Sequence, residues 1–266
     1  MLHIFTLNWN GLRHLQNLAP SLISNFRSID YTWHIKDNNS SDQSIDYLKS
    51  INSPNINIIN YHNNIQNFSE GNNYIYDLVS PKDNDQILLL NNDVKFNDSA
   101  SIKNMLNLLK RDNVGVVGAR LLYLNTNTIQ HAGVTFRSHR KYPCNYRCGE
   151  QSDQVSQKNR EFQAVTAACC VTTGEVYRNA GKLDTKFIWA FDDVDFCLTV
   201  KYNLNKRILY CGETNIFHEE SASLKVNTIN KIFSNQNLNY FSEKWLDKVD
   251  DDDFKYSKDS KYLLLK

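Results

Sequence analysis

Gln86-Ile87-Leu88-Leu89-Leu90-Asn91-Asn92-Asp93 is an almost wholly apolar run that closes on two asparagines and a carboxylate. A strand that is apolar on both faces belongs at the centre of a parallel sheet with helices on either side. The ligand crevice of such a sheet lies outside the carboxyl ends of its strands, so Asp93 is expected at the mouth of a crevice. Asn-Asn-Asp is equally good turn and helix-cap chemistry, and the run alone fixes the fold class more firmly than any chemistry.

Working outward toward the amino end, Leu2 to Leu7 is a short apolar run. Past the Asn10-Gly11 break, Leu12, Leu15, Leu22 and Phe26 recur at roughly helical spacing. Tyr31 to Lys36 reads as a second strand that ends in the turn-rich Asp37-Asn38-Asn39-Ser40-Ser41-Asp42. Ile45 and Leu48 then mark a helix capped by Ser41 or Asp42. Ile56 to Ile59 is a third strand, and a polar loop through Asn63 to Gly71 leads into a helix near Asn72 to Val79. On the other side, Ile102, Met105, Leu106 and Leu109 mark a helix and Val114 to Val117 a strand. Strand and helix signals alternating over short connections predict an α/β fold with a mainly parallel, doubly wound sheet.

The second half is less regular. Ile129 to Phe136 and Phe162 to Thr172 read as strands, and Arg137 to Arg160 between them is basic, polar and long enough to be a mobile lid. Phe187-Ile188-Trp189-Ala190-Phe191 runs into Asp192-Asp193-Val194-Asp195. Val194, Cys197, Leu198 and Lys201 share a helix face, which places the acids in a first turn, where the dipole favours carboxylates whatever their role. Arg207 to Cys211 is a further strand. Ile229, Ile232, Phe233, Tyr240, Phe241 and Trp245 suggest a helical tail that would pack on the domain, pair two subunits as a homodimer or rest against a membrane surface; packing is the default. The run from Asp250 to Asp253 is expected to be solvated. The expected division is a domain over 1–225, with halves 1–118 and 119–225, and a tail over 226–266.

Composition narrows the classes. The 266 residues carry a formal net charge of +1, so no global electrostatic footprint points to nucleic acid as a partner. No apolar stretch nears the roughly 20 residues that span a bilayer. The amino terminus also lacks a basic region followed by a long apolar core, so a cytosolic protein is expected, with peripheral membrane contact left open. Cys144, Cys148, Cys169, Cys170, Cys197 and Cys211 have no disulfide-framework spacing and are expected as reduced, mostly buried thiols. No second Cys/His pair accompanies Cys144 and Cys148 at zinc-site spacing.

Three places carry chemistry. Asp93 would hold a hard divalent cation that neutralises a diphosphate leaving group. The aromatic approach to Asp192 and Asp193 would shield a carboxylate and raise its proton affinity, as a general base for a sugar hydroxyl requires. His218 follows a strand-like segment and would be a second metal ligand, tilting an oxygen site from Mg2+ toward Mn2+. Each has a plainer reading: Asp93 as turn chemistry, the acids as helix caps, His218 as a packed histidine.

Taken together, the residues resemble a family 2 glycosyltransferase, inverting and of the GT-A fold, over roughly residues 1 to 245. Thr6-Leu7-Asn8-Trp9-Asn10-Gly11 resembles the family's first nucleotide-binding strand and turn. Asp37-Asn38-Asn39-Ser40-Ser41-Asp42 is similar to its "DNxSxD" segment, and Asn67-Phe68-Ser69-Glu70-Gly71-Asn72-Asn73 to "GFaxGNN". Leu89-Leu90-Asn91-Asn92-Asp93 resembles the short form of its D-x-D motif. Phe191-Asp192-Asp193-Val194-Asp195-Phe196-Cys197-Leu198 is similar to "FEDVDLCLR", and His218-Glu219-Glu220-Ser221-Ala222-Ser223 to "HxESxS". Single motifs are weak, but six in family order are specific.

The resemblance implies that Thr6 and Asp37 contact the nucleotide base, and that Asn8 belongs to the same donor-binding turn. Asn72 or Asn73 would border the pocket, Asn92 would meet the ribose or metal, and Asp93 with His218 would hold Mn2+ or Mg2+ and the diphosphate. Asp193 would be the base, with Asp192 beside it. It further implies a nucleotide-sugar donor, UDP-linked by preference because Asp37 suits the imide of uracil, a glycan or lipid-linked acceptor, and bacterial surface polysaccharide assembly as the setting. From the residues themselves, Arg137, Arg140, Lys141 and Arg147 are able to meet an anionic glycan or lipid-linked phosphate, although charged loops are more often just solvated. Asn67, where the family has glycine, and Thr199, where many members have arginine, depart from the pattern. A non-catalytic nucleotide-sugar-binding subunit and a metal-dependent phosphohydrolase are the readings from other classes.

Overall fold

The computed structural model describes residues 1–60, 67–136, 143–188, 190–219 and 228–252, with backbone alone over 228–234. Its first half is the expected alternation: β1 (Leu2–Asn8), α1 (Leu12–Asn25), β2 (Tyr31–Asp37), α2 (Ser44–Ser50), β3 (Ile56–Asn60), α3 (Phe68–Val79) and β4 (Gln86–Leu90). These four strands are parallel, in the order β3-β2-β1-β4. Then come β5 (Val94–Phe96), α4 (Ala100–Leu109), β6 (Val114–Tyr123), β7 (Ile129–His131), β8 (Val134–Phe136), β9 (Pro143–Asn145), β10 (Arg160–Phe162), β11 (Cys169–Thr173), α5 (Gly174–Asn179), α6 (Asp192–Tyr202), β12 (Arg207–His218) and α7 (Thr228–Trp245).

The main sheet continues from β4 through β11, β6 and β12 to β10 at its edge. β11 runs antiparallel between β4 and β6, while β12 is parallel to β6. The apolar run of β4 is central because both its faces are covered. Ile87 and Leu89 enter one core with Phe5, Tyr177 and Phe196, and Leu88 and Leu90 enter the other with Ile4, Trp33 and Ile102. Successive side chains of a strand alternate between faces, so only an unbroken apolar sequence fills both.

Several expectations on the second half are corrected. Ile129 to Phe136 is two short strands, because Gly133, at φ +106°, turns the chain. A Cβ there would meet the Phe162 ring at 2.5 Å, so the turn and the close approach both require glycine. β7 stays with β6, and β8 pairs with β9. Phe162 to Thr172 is likewise divided: residues 163–168 carry the chain from the sheet edge to its centre.

The lid expected over Arg137 to Arg160 is not what the described part of that segment forms. Arg137, Arg140 and Lys141 lie outside the described residues. From Pro143 onward the chain is tied down by β9, by Tyr146 N–H to Gly133 O at 2.8 Å and by Gly149 N–H to Ile129 O at 2.7 Å. The Arg147 guanidinium is buried between Glu150 and Asp153, so it does not present a free cation to an acceptor.

At the carboxyl end, Phe241 and Trp245 of α7 are each 1% exposed within the same core as Phe136 and Phe196, so the tail packs as the default reading had it. The acidic run is not solvated throughout: buried Asp252 accepts hydrogen bonds from Phe136 N–H at 3.0 Å and Gln163 Nε2 at 2.8 Å. The expected boundary between 225 and 226 lies outside the described residues. All six cysteines are free, four of them buried. No helix among the described residues is long and apolar enough to cross a membrane.

Candidate active site

Asp93 leaves the carboxyl end of β4, and β5 then folds back antiparallel on the end of β12, pairing Val94 with His218. That fold-back brings distant residues together. His218 Nε2 lies 2.9 Å from Asp93 Oδ1, both side chains about nine-tenths buried at 9% and 10% exposure. Glu219 N–H donates to Asp93 O at 3.1 Å. Burial pushes the Asp93 carboxyl up, but the hydrogen bond and charge of His218, with His14 behind it, outweigh burial and bring it below its ordinary value.

The imidazole of His218 is held from its other side. Gln130 Oε1 accepts from Nδ1 at 2.6 Å, and Asn91 Nδ2 reaches Nε2 at 3.2 Å. With the amide so oriented, an assignment made from its partners, Nδ1 keeps its proton, and Nε2, whose own proton reaches Asp93 in the free site, would turn a lone pair to a cation that displaces that proton. Two such atoms side by side suit a shared divalent cation, and a ligating histidine typically donates its second N–H to an oxygen. The pair therefore fits Mn2+ or Mg2+, with the remaining positions left to substrate phosphate and water. Among the described residues, no group of three or more His, Cys, Asp or Glu side chains gathers around a single metal position.

Beside this pair runs a relay of expected donor-site residues. Asn92 Nδ2 donates to Asn8 Oδ1 at 2.9 Å, and Asn8 Nδ2 donates to Asp37 Oδ1 at 2.8 Å. Asp37 also accepts from Ser40 N–H and Oγ, at 2.8 and 2.7 Å, and is wholly buried, so it acts behind Asn8 and Ser40. Asp42 accepts from Ser44 N–H at 3.2 Å and from Leu12 N–H at 2.8 Å, joining the starts of two helices. The exposed Trp9 ring stands on the same turn.

Other sequence candidates are placed differently. Thr6 is fully buried and its hydroxyl accepts from the Trp33 indole at 2.9 Å, so its side chain packs β1 on β2. Asn73 hydrogen-bonds Leu183 O, Leu183 N–H and the Tyr177 hydroxyl, and it lines a cavity on the side of Asp184, Asp195 and Lys244. Asn72 is buried in α3, and its Oδ1 has no hydrogen-bond partner among the described residues. Asn67 caps α3 by accepting from Glu70 N–H at 2.8 Å.

The acids open α6, as the sequence pattern has them. Asp192 is buried and accepts from Ser69 Oγ at 3.2 Å; burial, and next the charge of Asp193, push its carboxyl up to about 7. Asp193 is half-buried and held at both oxygens, Oδ2 by Ala167 N–H at 3.1 Å and Oδ1 by Val194 N–H at 2.8 Å. Burial raises it as well, against these hydrogen bonds. Asp195 points away, to the Trp245 indole at 2.6 Å and to Lys244.

The link between Asp193 and the Asp93–His218 pair is the segment Thr166–Ala168. Ala167 holds Asp193, and Ala168 O accepts from Asn91 N–H at 2.9 Å, two residues before Asp93. Asp93, His218 and Asp193 thus share the carboxyl-end side of the sheet. Residues 220–227, with the rest of the "HxESxS"-like segment, and Trp189 lie outside the described residues. Gln130 and His131 lie in no motif legible from sequence, and Asn91 stands out only as part of the run into Asp93. The available signal was a polar pair, Gln130-His131, inside an otherwise apolar strand pattern.

No family model matches the chain. It is 33% identical over 150 residues to the uncharacterized protein y4gI of Sinorhizobium fredii (strain NBRC 101917 / NGR234), a match covering 52% of this chain and 15% of that protein. It is 29% identical over 153 residues to the O-antigen biosynthesis protein RfbC of Myxococcus xanthus, covering 54% and 12%. The chain thus spans a small part of the length of these relatives.

Among solved structures, GalNAc-T7 with UDP, GalNAc and Mn2+ superposes with a TM-score of 0.70 at 12% identity, over 93% of this chain and 49% of that one. Mannosyltransferase PcManGT of Pyrobaculum calidifontis, with GDP-Man and Mn2+, gives 0.61 at 11% identity over 94% and 65%. TarS of S. aureus with UDP-GlcNAc gives 0.58 at 13% identity over 84% and 61%. The fold is the GT-A arrangement of these glycosyltransferases.

Proposed function

We propose that this chain is a glycosyltransferase that moves a sugar from a nucleotide diphosphate donor, UDP-linked by preference, to a hydroxyl of a glycan or lipid-linked acceptor with inversion. The observation that carries the reading is the Asp93–His218 pair at the strand ends, tied through Asn91, Ala168 and Ala167 to a raised carboxylate on Asp193. The superposed transferases, with UDP, UDP-GlcNAc or GDP-Man, support it, and RfbC supports a polysaccharide setting.

Asp193 accepts the acceptor's hydroxyl proton as that oxygen attacks the anomeric carbon, and the bond from that carbon to the diphosphate oxygen breaks on the opposite face. One displacement inverts the centre. Asp93 and His218 Nε2 would hold the divalent cation, which would supply neutralisation of charge on the departing diphosphate. Asn8 and Asn92 line the donor turn, with Asp37 fixing Asn8 from behind. Burial and the Asp193 charge favour protonated Asp192, which leaves Asp193 as the carboxylate free to take a proton.

The test is a thermal-shift screen of nucleotide sugars with and without Mn2+, followed by product analysis with oligosaccharide and polyprenyl-phosphate-linked acceptors. A UDP-selective, Mn2+-dependent rise and an inverted glycosidic product are expected. No stabilisation by any nucleotide sugar, or release of free sugar alone in the presence of competent acceptors, overturns the proposal.

A further inference from the structure

Gln130 and His131 are consecutive on β7, 3% and 1% exposed, and have no part in the chemistry above. Buried polar side chains in a three-residue strand cost free energy unless their atoms are hydrogen-bonded, and here the partners belong to the site. Gln130 grips His218 twice, accepting from Nδ1 at 2.6 Å and donating through Nε2 to its carbonyl at 3.4 Å. His131 Nδ1 donates to Asn145 Oδ1 at 2.8 Å, which leaves Nε2 as the acceptor for Thr166 N–H at 3.3 Å. Thr166 immediately precedes the Ala167 N–H that binds Asp193. Neighbours on a strand face opposite ways, so one short strand serves both sides.

We infer that β7 is a brace joining the two halves of the site. Gln130 is a positioning residue that fixes the ring and tautomer of His218 so that Nε2 faces the cation position, and His131 is a positioning residue that fixes the Thr166–Ala167 segment and through it Asp193. The His131 half rests on the transferase reading. The Gln130 half needs only that Asp93 and His218 bind a cation.

The experiment uses the full chain and separates the halves. Mn2+ affinity is read by EPR titration, kcat and donor KM by transfer assay, and the His218 tautomer with Mg2+ bound and the Ala167 amide by 15N NMR. Gln130→Leu is expected to weaken Mn2+ binding about 10- to 100-fold and to abolish the single Nδ1–H tautomer, while Gln130→Glu, which keeps an acceptor, restores both. His131→Leu is expected to leave Mn2+ affinity and donor KM unchanged, shift the Ala167 amide resonance and lower kcat by about tenfold or more.

Parallel losses of Mn2+ affinity and kcat in both leucine variants, tracking Tm, would reduce the brace to general packing and overturn it. So would an unchanged His218 tautomer in Gln130→Leu or an unchanged Ala167 amide in His131→Leu. The two NMR readouts need no turnover. A wild-type chain without transfer activity therefore sinks the proposed function while the brace still stands or falls on them.

Discussion

Asn92 hydrogen-bonds Asn8 at 2.9 Å directly across the space that a side chain on Gly11 would fill: a Cβ there would lie 2.4 Å from both Asn8 Oδ1 and Asn92 Nδ2. The two asparagines arrive from the ends of β1 and β4 and meet over the first residues of α1, so the glycine is a requirement of their contact. Gly11→Ala is expected to break it, at about 1–3 kcal/mol of stability. Urea unfolding midpoints and the thermal shift with UDP check this; a variant with wild-type values for both would show that the contact bears on neither.

Asp193 and Asp93 are expected to fail in different ways. Asp193→Asn keeps the shape and the site's cation pair but cannot take a proton, so kcat should fall about 10²- to 10⁴-fold while Mn2+-dependent UDP binding persists. Asp93→Ala should weaken Mn2+ and UDP binding together. Near-normal turnover in the first variant, or unchanged metal dependence in the second, would remove that residue from its role.

Asp192 carries a pH dependence. Its folded carboxyl lies near 7, raised by burial and then by the Asp193 charge, against about 3.9 in an unfolded chain. The folded state therefore holds the proton over that interval. The contribution to stability is full below about pH 4 and is lost as pH rises through 7. Asp192→Asn should flatten the fall in Tm between about pH 4 and 7 relative to wild type; parallel Tm–pH curves would contradict the assignment.

The tail is tied to the acid-bearing helix from below. Asp195 accepts the Trp245 indole N–H at 2.6 Å and pairs with Lys244, while buried Asn237 spans the turn before α6 by hydrogen bonds to Ile188 N–H and Ala190 O at 3.3 and 3.2 Å. Asp195→Ala leaves a buried indole N–H unpaired and should cost about 1–3 kcal/mol in urea unfolding. Asn237→Ala should instead act mainly on kcat, because the turn it pins holds Ala190 and Phe191 at φ +135° and +71° just ahead of the acids. Equal effects of both variants on kcat would argue against that separation.

The sequence determined what short-range chemistry can determine. β4, an unbroken apolar run, fell where its pattern put it, and the acids of α6 opened a helix because their spacing and dipole preference said so. The residues proposed to hold a cation were legible as types at strand ends, and the proposed base as one of an acidic pair behind an aromatic run. Periodicity carries no information about pairing across a sheet, however. The reversed direction of β11, the break at Gly133 and the docking of Asp252 under Phe136 were invisible for that reason. Only the tertiary structure decided that β5 turns back on β12 and sets His218 against Asp93, residues 125 positions apart in the chain. It also decided that Thr6 and Asn73 spend their polar atoms on packing while Gln130 and His131 spend theirs on the site. A buried polar group must find a partner wherever the fold offers one, and that choice is made by which strands lie side by side, a property no local stretch of sequence contains.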